Sequence, residues 1–168
     1  ILAHPQEVAR TLDDAVQAGK MRALGVSNCT THQIAALNQF LGHKLVATQP
    51  EISPLRITCF ENGELDQAMM MGLTPLAWSP LGGGRLANPE SERDKAVAAE
   101  LDRVAGAQGV SRTVAAYSWL MAHPAGIIPI VGSQQLERIA EAVEAYKVRW
   151  SRQDWYAVLV AARGERLP

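Results

Sequence analysis

The sequence has few cysteines, few aromatic residues, no excess of either charge and no long apolar run. Its 168 residues include two cysteines, too few for a disulfide framework, which favours a reducing compartment. Sixteen basic residues against seventeen acidic ones give a net charge of −1, so there is no general attraction to nucleic acid or to an anionic membrane. The apolar runs are far shorter than the ~20 residues of a membrane helix. We therefore expect a soluble, cytoplasmic protein with no nucleic-acid or membrane partner.

Two hydrophobic patterns, short apolar runs and longer amphipathic stretches, alternate along the chain and predict an α/β fold. Short apolar runs bounded by turn residues predict strands buried on both faces, at residues 21–26, 45–48, 73–78 and 127–131. Amphipathic stretches predict helices at residues 6–18, 31–41, 61–71, 91–107 and 111–123, with two more that start at 133 and 151. Strands that alternate with helices imply right-handed βαβ units and a parallel sheet.

Hydroxyl side chains mark several of the predicted helix starts. Thr30 with Gln33 fits a capping box, and the other predicted N-caps are Ser111, Ser133 and Ser151.

The residues after each strand distinguish two kinds of parallel sheet. Every predicted strand is followed by a short polar or glycine-bearing segment, at residues 27–28, 49–51, 79–82 and 132–133. A β/α barrel places functional groups after every strand, whereas an open, doubly wound sheet concentrates them at one switch point. The barrel is favoured and the open sheet is the alternative. Four strands do not close a barrel, which typically needs about 250 residues. We therefore expect the C-terminal half of a larger protein.

Four segments at these strand ends carry a family resemblance. They are Gly25-Val26-Ser27-Asn28, Gln49-Pro50-Glu51-Ile52-Ser53, Ala77-Trp78-Ser79-Pro80-Leu81-Gly82-Gly83-Gly84, and Val131-Gly132-Ser133 with Arg138. In this order they resemble the aldo-keto reductases, most closely bacterial members with a Trp-Ser-Pro-Leu-Gly-Gly-Gly segment. The resemblance implies an α/β fold, namely the C-terminal half of a (β/α)8 TIM barrel: strands five to eight with their helices. Residues 1–168 would then form one partial domain whose N-terminal half is absent.

The resemblance also implies an NADP site, and the matching residues suit that cofactor. A nicotinamide carboxamide needs donor and acceptor groups, and Ser27, Asn28 and Gln49 supply both. The nicotinamide ring needs an aromatic face to stack on, which Trp78 offers at the end of the third strand.

The pyrophosphate of the cofactor needs backbone N–H groups that approach it without intervening side chains. The segment 79–84 resembles the family's phosphate-contacting loop, and its glycines permit that approach. The cofactor-binding residues expected in this loop are Ser79, Pro80, Leu81, Gly82 and Gly84. Ser133, expected to start a helix, adds a hydroxyl and the free N–H groups of a first turn.

Arg138 matches the family's arginine that meets the 2′-phosphate of NADP, a contact that suits a planar guanidinium. Glu141 matches a carboxylate near the adenine. Gly132, also assigned to the cofactor site, stands where many members have a lysine, and Ala142 stands where many have an asparagine. The resemblance therefore implies NADP, with a weaker preference over NAD than in those members.

The family's acid catalyst lies outside this sequence. Members use a tyrosine as general acid, tuned by a lysine and an aspartate, with a histidine that orients the substrate, and all four come from the first half of the barrel. His4 falls several residues beyond the family's histidine, and Tyr117, Tyr146 and Tyr156 lie on predicted helices. We therefore assign no catalytic residue. The implied function of the parent protein is NADP-dependent hydride transfer between the nicotinamide and an aldehyde or ketone, with a small carbonyl or alcohol as substrate.

Alternatives remain open for the individual residues and for the function of the protein. The Ser-Asn pair can be a simple turn, Trp78 a core aromatic residue, the glycine triplet a flexible loop and Arg138 a solvated helix charge. The protein can also be a non-catalytic NADP-binding module, or a half-barrel that pairs with a second copy in place of the missing N-terminal half.

Three other features have structural interpretations. Met69-Met70-Met71 is expected to pack on the inner face of its helix, and Cys29 to be a small buried residue. Cys29 and His32 have loose metal-ligand spacing, but no second pair completes a site, so no metal is expected.

Overall fold

A computed structural model describes residues 3–166, and within them four parallel strands form one sheet. The strands are β1 (Leu24–Ser27), β2 (Leu45–Gln49), β3 (Thr74–Ala77) and β4 (Ile128–Pro129), and they lie side by side in sequence order. The prediction of an α/β fold with a parallel sheet is confirmed. A sheet order that never reverses is that of a barrel segment, because a doubly wound sheet changes direction at its switch point.

One helix precedes the first strand, and the other helices of the described residues connect the strands or follow the last one. In chain order the helices are α1 (Pro5–Gln17), α2 (Thr31–Asn38), α3 (Glu64–Met71), α4 (Glu92–Gln108), α5 (Arg112–Met121), α6 (Leu136–Ala142) and α7 (Arg152–Arg163), with 3-10 turns at Thr58–Phe60 and Val143–Lys147. Among residues 3–166, no helix is both long and apolar enough to cross a lipid bilayer.

Hydrogen bonds at the helix starts confirm most of the predicted caps. The Thr30 hydroxyl accepts from the Gln33 N–H at 3.3 Å, and the Gln33 side chain accepts from the Thr30 N–H at 2.8 Å, which completes the capping box of α2. The Ser111 and Ser151 hydroxyls cap α5 and α7 by accepting from the Val114 and Asp154 N–H groups, without the reciprocal bond of a capping box. Each such cap stabilises its helix by about 1 kcal/mol.

The prediction that Ser133 caps a helix is wrong. Helix α6 begins at Leu136, and its N-cap, Gln135, makes no side-chain capping bond. The Ser133 hydroxyl instead accepts from the Gln135 N–H at 3.1 Å, two residues ahead. Such a local turn competes with helical capping and delays the helix by two residues.

The main core lies between the sheet and helices α4, α5 and α7. Val97, Leu101 and Leu120 are fully buried there, and each such side chain contributes about 1.5–3 kcal/mol. Trp119 and Trp155 stack with centroids 4.9 Å apart, and each indole N–H donates to the other residue's carbonyl, at 3.0 and 2.9 Å. This reciprocal pair fixes α5 against α7.

Three of the predicted buried positions are not buried in the structure. Met69 and Met70 are 43% and 78% exposed, and Met71 alone of the three packs against a core cluster. Consecutive helical residues are 100° apart, so three in a row cannot share the inner face. Cys29 is partly exposed, whereas Cys59 is buried.

One face of the sheet is covered by helices and the other is open. Successive strand residues point to opposite faces. Thr48, Pro75 and Ala77 point toward the helices and are buried. On the opposite face, Ile128 and Ile130 are 52% and 37% exposed. The described part of the chain therefore leaves an apolar sheet surface uncovered.

Candidate functional site

All four strands end at one edge of the sheet because they are parallel. Ser27, Gln49, Ala77 and Pro129 are their last residues. The predicted site segments all follow these ends, so the fold gathers them at the carboxyl edge, where parallel sheets bind ligands.

Ser27 and Gln49 lie side by side on the open face. They are register partners in neighbouring strands, so their side chains point to the same side. The Ser27 hydroxyl donates to the Gln49 carbonyl oxygen at 2.9 Å, and the Asn28 N–H donates to the same oxygen at 3.2 Å. The hydroxyl proton is thereby engaged, which leaves the Ser27 oxygen as an acceptor.

Trp78 and Asn28 are joined directly across the strand ends. The indole N–H of Trp78 donates to Asn28 Oδ1 at 2.8 Å. Asn28 has a φ of +53°, in the left-handed region that asparagine tolerates better than most residues. Trp78 lies one residue beyond β3 and is half-buried, so it is not a core aromatic residue.

The loop that follows Trp78 packs against the core at its start and is exposed to solvent at its glycines. Pro80 is buried and Leu81 packs on the core, whereas Gly83 and Gly84 are exposed. Ser79, Gly82, Gly83 and Gly84 all have positive φ values, between +52° and +90°. The Gly82 N–H donates to the Ser79 carbonyl at 2.8 Å. A Cβ at Gly82 would lie 3.0 Å from Leu55 Cδ1, so the turn is close to the core as well.

Arg85 and Asp94 hold the far end of this loop, and sequence reasoning missed both. Asp94, in the first turn of α4, is 2% exposed and accepts from Arg85 Nε at 2.9 Å and from Arg85 Nη2. The guanidinium keeps the pKa of Asp94 below its usual value. The available signal was a cation directly after the glycine triplet and a carboxylate three residues after Ser91, the N-cap.

The predicted residues after β4 form a separate group. Gly132 and Arg138 are exposed, and Ser133 and Glu141 are half-buried. None of these four side chains bonds to Ser27, Asn28, Gln49 or Trp78 within residues 3–166. Side-chain and strand-end hydrogen bonds therefore link the first three strand ends, whereas the end of β4 is joined to that of β3 by a backbone hydrogen bond, from Ile130 N–H to the Ala77 carbonyl at 2.9 Å.

His4 and the tyrosines considered as catalytic candidates lie on helices or at the surface, outside the group of strand-end residues. His4 is the N-cap of α1, where its Nδ1 accepts from the Gln6 N–H at 3.2 Å. Tyr117 is buried in α5, and burial, with the charge of Glu141, raises the pKa of its hydroxyl. Tyr146 is 74% exposed.

A cavity of 320 Å³ borders the Trp78–Asn28 pair. Its lining includes Glu51, Arg56 and the Cys59 thiol. Burial and the neighbouring Glu64 raise the pKa of Cys59 to about 12, so this sulfur is a neutral thiol at physiological pH. Within the described residues, no three histidine, cysteine or acidic side chains cluster as a metal site.

The fold, the strand-end segments and the glycine loop define a protein class. The sequence profile of the Aldo/keto reductase family matches residues 2–159. The chain belongs to this family, and the resemblance read from its four motifs is confirmed.

Individual relatives are similar along the whole chain. A Novosphingobium aromaticivorans protein named 6-dehydroglucose reductase is 82% identical over 168 residues, which is 100% of this chain and 55% of that protein. An Agrobacterium fabrum protein with the same name is 37% identical over 99% of this chain and 55% of its own length. Oxidoreductase YdhF of Escherichia coli is 38% identical over 99% and 56%. The chain spans about half the length of the curated relatives it matches.

Solved structures share the fold at low sequence identity. A thermostable aldo-keto reductase is 20% identical with a TM-score of 0.83, over 94% of this chain and 54% of that one. An aldose reductase from Giardia lamblia is 22% identical with a TM-score of 0.79, over 96% and 52%.

Proposed function

We propose that this chain is the cofactor-holding, C-terminal half of an NADP-dependent aldo-keto reductase barrel. One observation carries the proposal: Ser27 and Gln49 are register partners on the open face, and Trp78 and Asn28 are bonded to each other beside them. A carboxamide needs an acceptor for its N–H groups and a donor for its oxygen. The Ser27 oxygen and the Asn28 amino group supply these two functions.

The shape of the site also fits the cofactor. Trp78 provides an aromatic face for the nicotinamide ring. The exposed backbone of Gly83 and Gly84 leaves N–H groups accessible to a pyrophosphate, and no Cβ obstructs that approach. Arg85, paired with Asp94, places a half-exposed guanidinium at the end of the loop, and its N–H groups that do not contact Asp94 are donors for an anion. When bound, the cofactor supplies a hydride from its nicotinamide to a carbonyl carbon.

The 2′-phosphate contact is assigned to Arg138. Arg138 is exposed in the first turn of α6, the helix that follows Gly132 and Ser133 in the chain, and a planar guanidinium suits a phosphate. Ser133 contributes through its loop conformation and hydroxyl, since it does not start the helix. Glu141, on the same helix, is assigned to the adenine.

We assign the proton donor to the other half of the barrel. The uncovered sheet face, with Ile128 and Ile130 exposed, is the inner wall of an incomplete barrel. Relatives have almost twice the length of this chain, which supports an upstream half that carries the tyrosine, lysine, aspartate and histidine.

The substrate we propose is the aldehyde of an oxidised sugar. This assignment of the substrate rests on the 82% identity to a protein named 6-dehydroglucose reductase. Sugar hydroxyls suit the polar side chains around the strand ends, among them Glu51 and Arg56 in the cavity beside Trp78.

Titration of the protein that carries this segment at full length, with NADPH and NADH, tests the proposal. We expect NADPH to bind more tightly, and Arg138→Ala to weaken NADPH without weakening NADH. Arg10→Ala, an exposed arginine on α1, is the matched control and leaves both affinities unchanged. A folded protein that binds neither cofactor contradicts the proposal.

The open face of the sheet also supports a second candidate function, in which the chain pairs with a second copy of itself. Two copies of the chain can cover each other's apolar sheet surface and complete eight strands. Sedimentation of the 168-residue chain distinguishes the two: self-pairing gives a dimer at micromolar concentration, and a concentration-independent monomer contradicts it.

A further inference from the structure

The hydrogen bond between Trp78 and Asn28 does more than connect two strand ends. It spans 50 residues of sequence and links the residue after β1 to the residue after β3. An indole nitrogen only donates, so the atom of Asn28 that it contacts must be the amide oxygen. The indole therefore decides which way the Asn28 amide faces.

Without that bond the amide has no fixed orientation. Asn28 is exposed, and its terminal torsion has two broad, nearly equivalent wells related by a 180° turn. Oxygen and amino group have almost the same size, so packing does not select between them. The Trp78 indole is the side-chain donor bonded to Asn28 Oδ1 among residues 3–166.

The neighbouring serine is oriented by the same logic. The Ser27 hydroxyl gives its proton to the Gln49 carbonyl, so its oxygen faces the site as an acceptor. With the Asn28 oxygen occupied by the indole, its amino group faces the site as a donor. Together, these two hydrogen bonds fix an acceptor at Ser27 and a donor at Asn28 before any ligand binds.

We propose that Trp78 is a positioning residue for the nicotinamide carboxamide, because its indole N–H holds the Asn28 amide with the amino group toward the carboxamide oxygen. The inference rests on the proposed cofactor site and adds a second role to Trp78, apart from stacking. Trp78→Phe should then weaken cofactor binding through Asn28 as well as through the loss of ring area.

A double-mutant cycle on the full-length protein separates the two roles. NADPH dissociation constants are measured for wild type, Trp78→Phe, Asn28→Ala and the double variant. One oriented hydrogen bond is worth about five- to tenfold in affinity. We expect the Trp78→Phe penalty to be larger by about that factor when Asn28 is present than when it is alanine. Penalties equal within about twofold overturn the proposal.

A cofactor analogue tests the polarity itself. 3-Acetylpyridine adenine dinucleotide phosphate keeps the carbonyl oxygen of the carboxamide and replaces its amino group with a methyl group. If the Asn28 amino group contacts the oxygen, the Trp78→Phe penalty is the same for the analogue as for the natural oxidised cofactor. If the penalty with the analogue falls to the value measured when Asn28 is alanine, Asn28 uses its oxygen instead and the inference is wrong.

Two further variants control for folding. Trp150→Phe also loses an indole N–H bond, to Ser118 Oγ at 3.1 Å, but lies away from the strand ends, and it leaves the affinity unchanged. Replacing Trp78 by its benzothiophene isostere removes the N–H and keeps the ring, so an unstable phenylalanine variant does not block the test. Tight binding by wild type without coupling to Asn28 contradicts this inference alone, whereas a wild type that binds no cofactor contradicts the proposed function as well.

Discussion

At the scale of single residues, charge and burial decide which side chains can react and which ones hold the fold. Asp94 and Cys59 are both buried, but their surroundings act on them in opposite directions. The Arg85 guanidinium stabilises the charged carboxylate of Asp94 and lowers its pKa. No such cation outweighs burial at Cys59, so its pKa rises to about 12.

Asp94 should contribute to stability in a pH-dependent manner. Because its folded pKa is below the unfolded value of about 3.9, its contribution is complete above that value and is lost as the pH falls through the folded pKa. Asp94→Asn should lower the free energy of unfolding by about 1–3 kcal/mol at pH 7, with a smaller difference below pH 4. Urea denaturation at both pH values measures it.

Asp14→Asn is the control for that comparison. Asp14 is exposed on α1, so its replacement should change stability by less than about 0.5 kcal/mol. An Asp94→Asn difference that is equally large at pH 3 and pH 7 contradicts the role of the charged pair.

The two thiols should react at different rates in the native protein. Cys59 is buried and protonated, whereas Cys29 is partly exposed. At pH 8 we expect one fast modification by a thiol reagent, at Cys29, and one slow modification that follows unfolding. Cys29→Ser should remove the fast phase. A fast phase that persists in Cys29→Ser would show that Cys59 is accessible.

At the scale of elements, turns and caps hold the glycine loop in place. Gly82 and Gly83 have nearly the same left-handed φ, +63° and +66°, but different surroundings. A Cβ at Gly82 would lie 3.0 Å from the buried Leu55 side chain, whereas one at Gly83 would come no closer than 3.9 Å to Ser79 Oγ.

Alanine at these two positions separates backbone strain from steric contact. Gly83→Ala should cost about 1–2 kcal/mol from the left-handed backbone alone. Gly82→Ala adds the displacement of Leu55 and should cost about 1 kcal/mol more. Thermal denaturation compares the variants directly. Equal losses would mean that the loop is not held against the core at Gly82.

The elements that the sequence predicts well are those with local signals. The capping box at Thr30 and Gln33 and the strand-end motifs are short patterns, and the structure has them where they were expected. The prediction that Ser133 caps a helix was wrong because a hydroxyl before a helix can also close a local turn. Trp119 and Trp155 are 36 residues apart, so no local pattern indicates their pairing. Arg85 and Asp94 had a local signal in the glycine triplet and the Ser91 cap, but that signal does not show that the two side chains meet.

At the scale of the whole molecule, the chain is organised around one open face and one carboxyl edge. Helices bury one side of the sheet, and the other side presents the residues proposed to hold the nicotinamide. The parallel, sequential sheet follows from the alternation of the two hydrophobic patterns. The extent of the uncovered surface could not be predicted from the sequence, because it depends on how the strands twist and which residues the helices reach.

Amide hydrogen–deuterium exchange with and without NADPH tests whether this chain holds the cofactor at its carboxyl edge. In the full-length protein, we expect slower exchange with the cofactor at residues 27–28, in the loop 79–85 and near Ser133 and Arg138. Exposed positions far from the carboxyl edge, such as Met70 on α3, should be unchanged. Protection confined to other regions, or no protection at a concentration that saturates a folded protein, would contradict the assignment of this chain as the cofactor-holding half of a reductase.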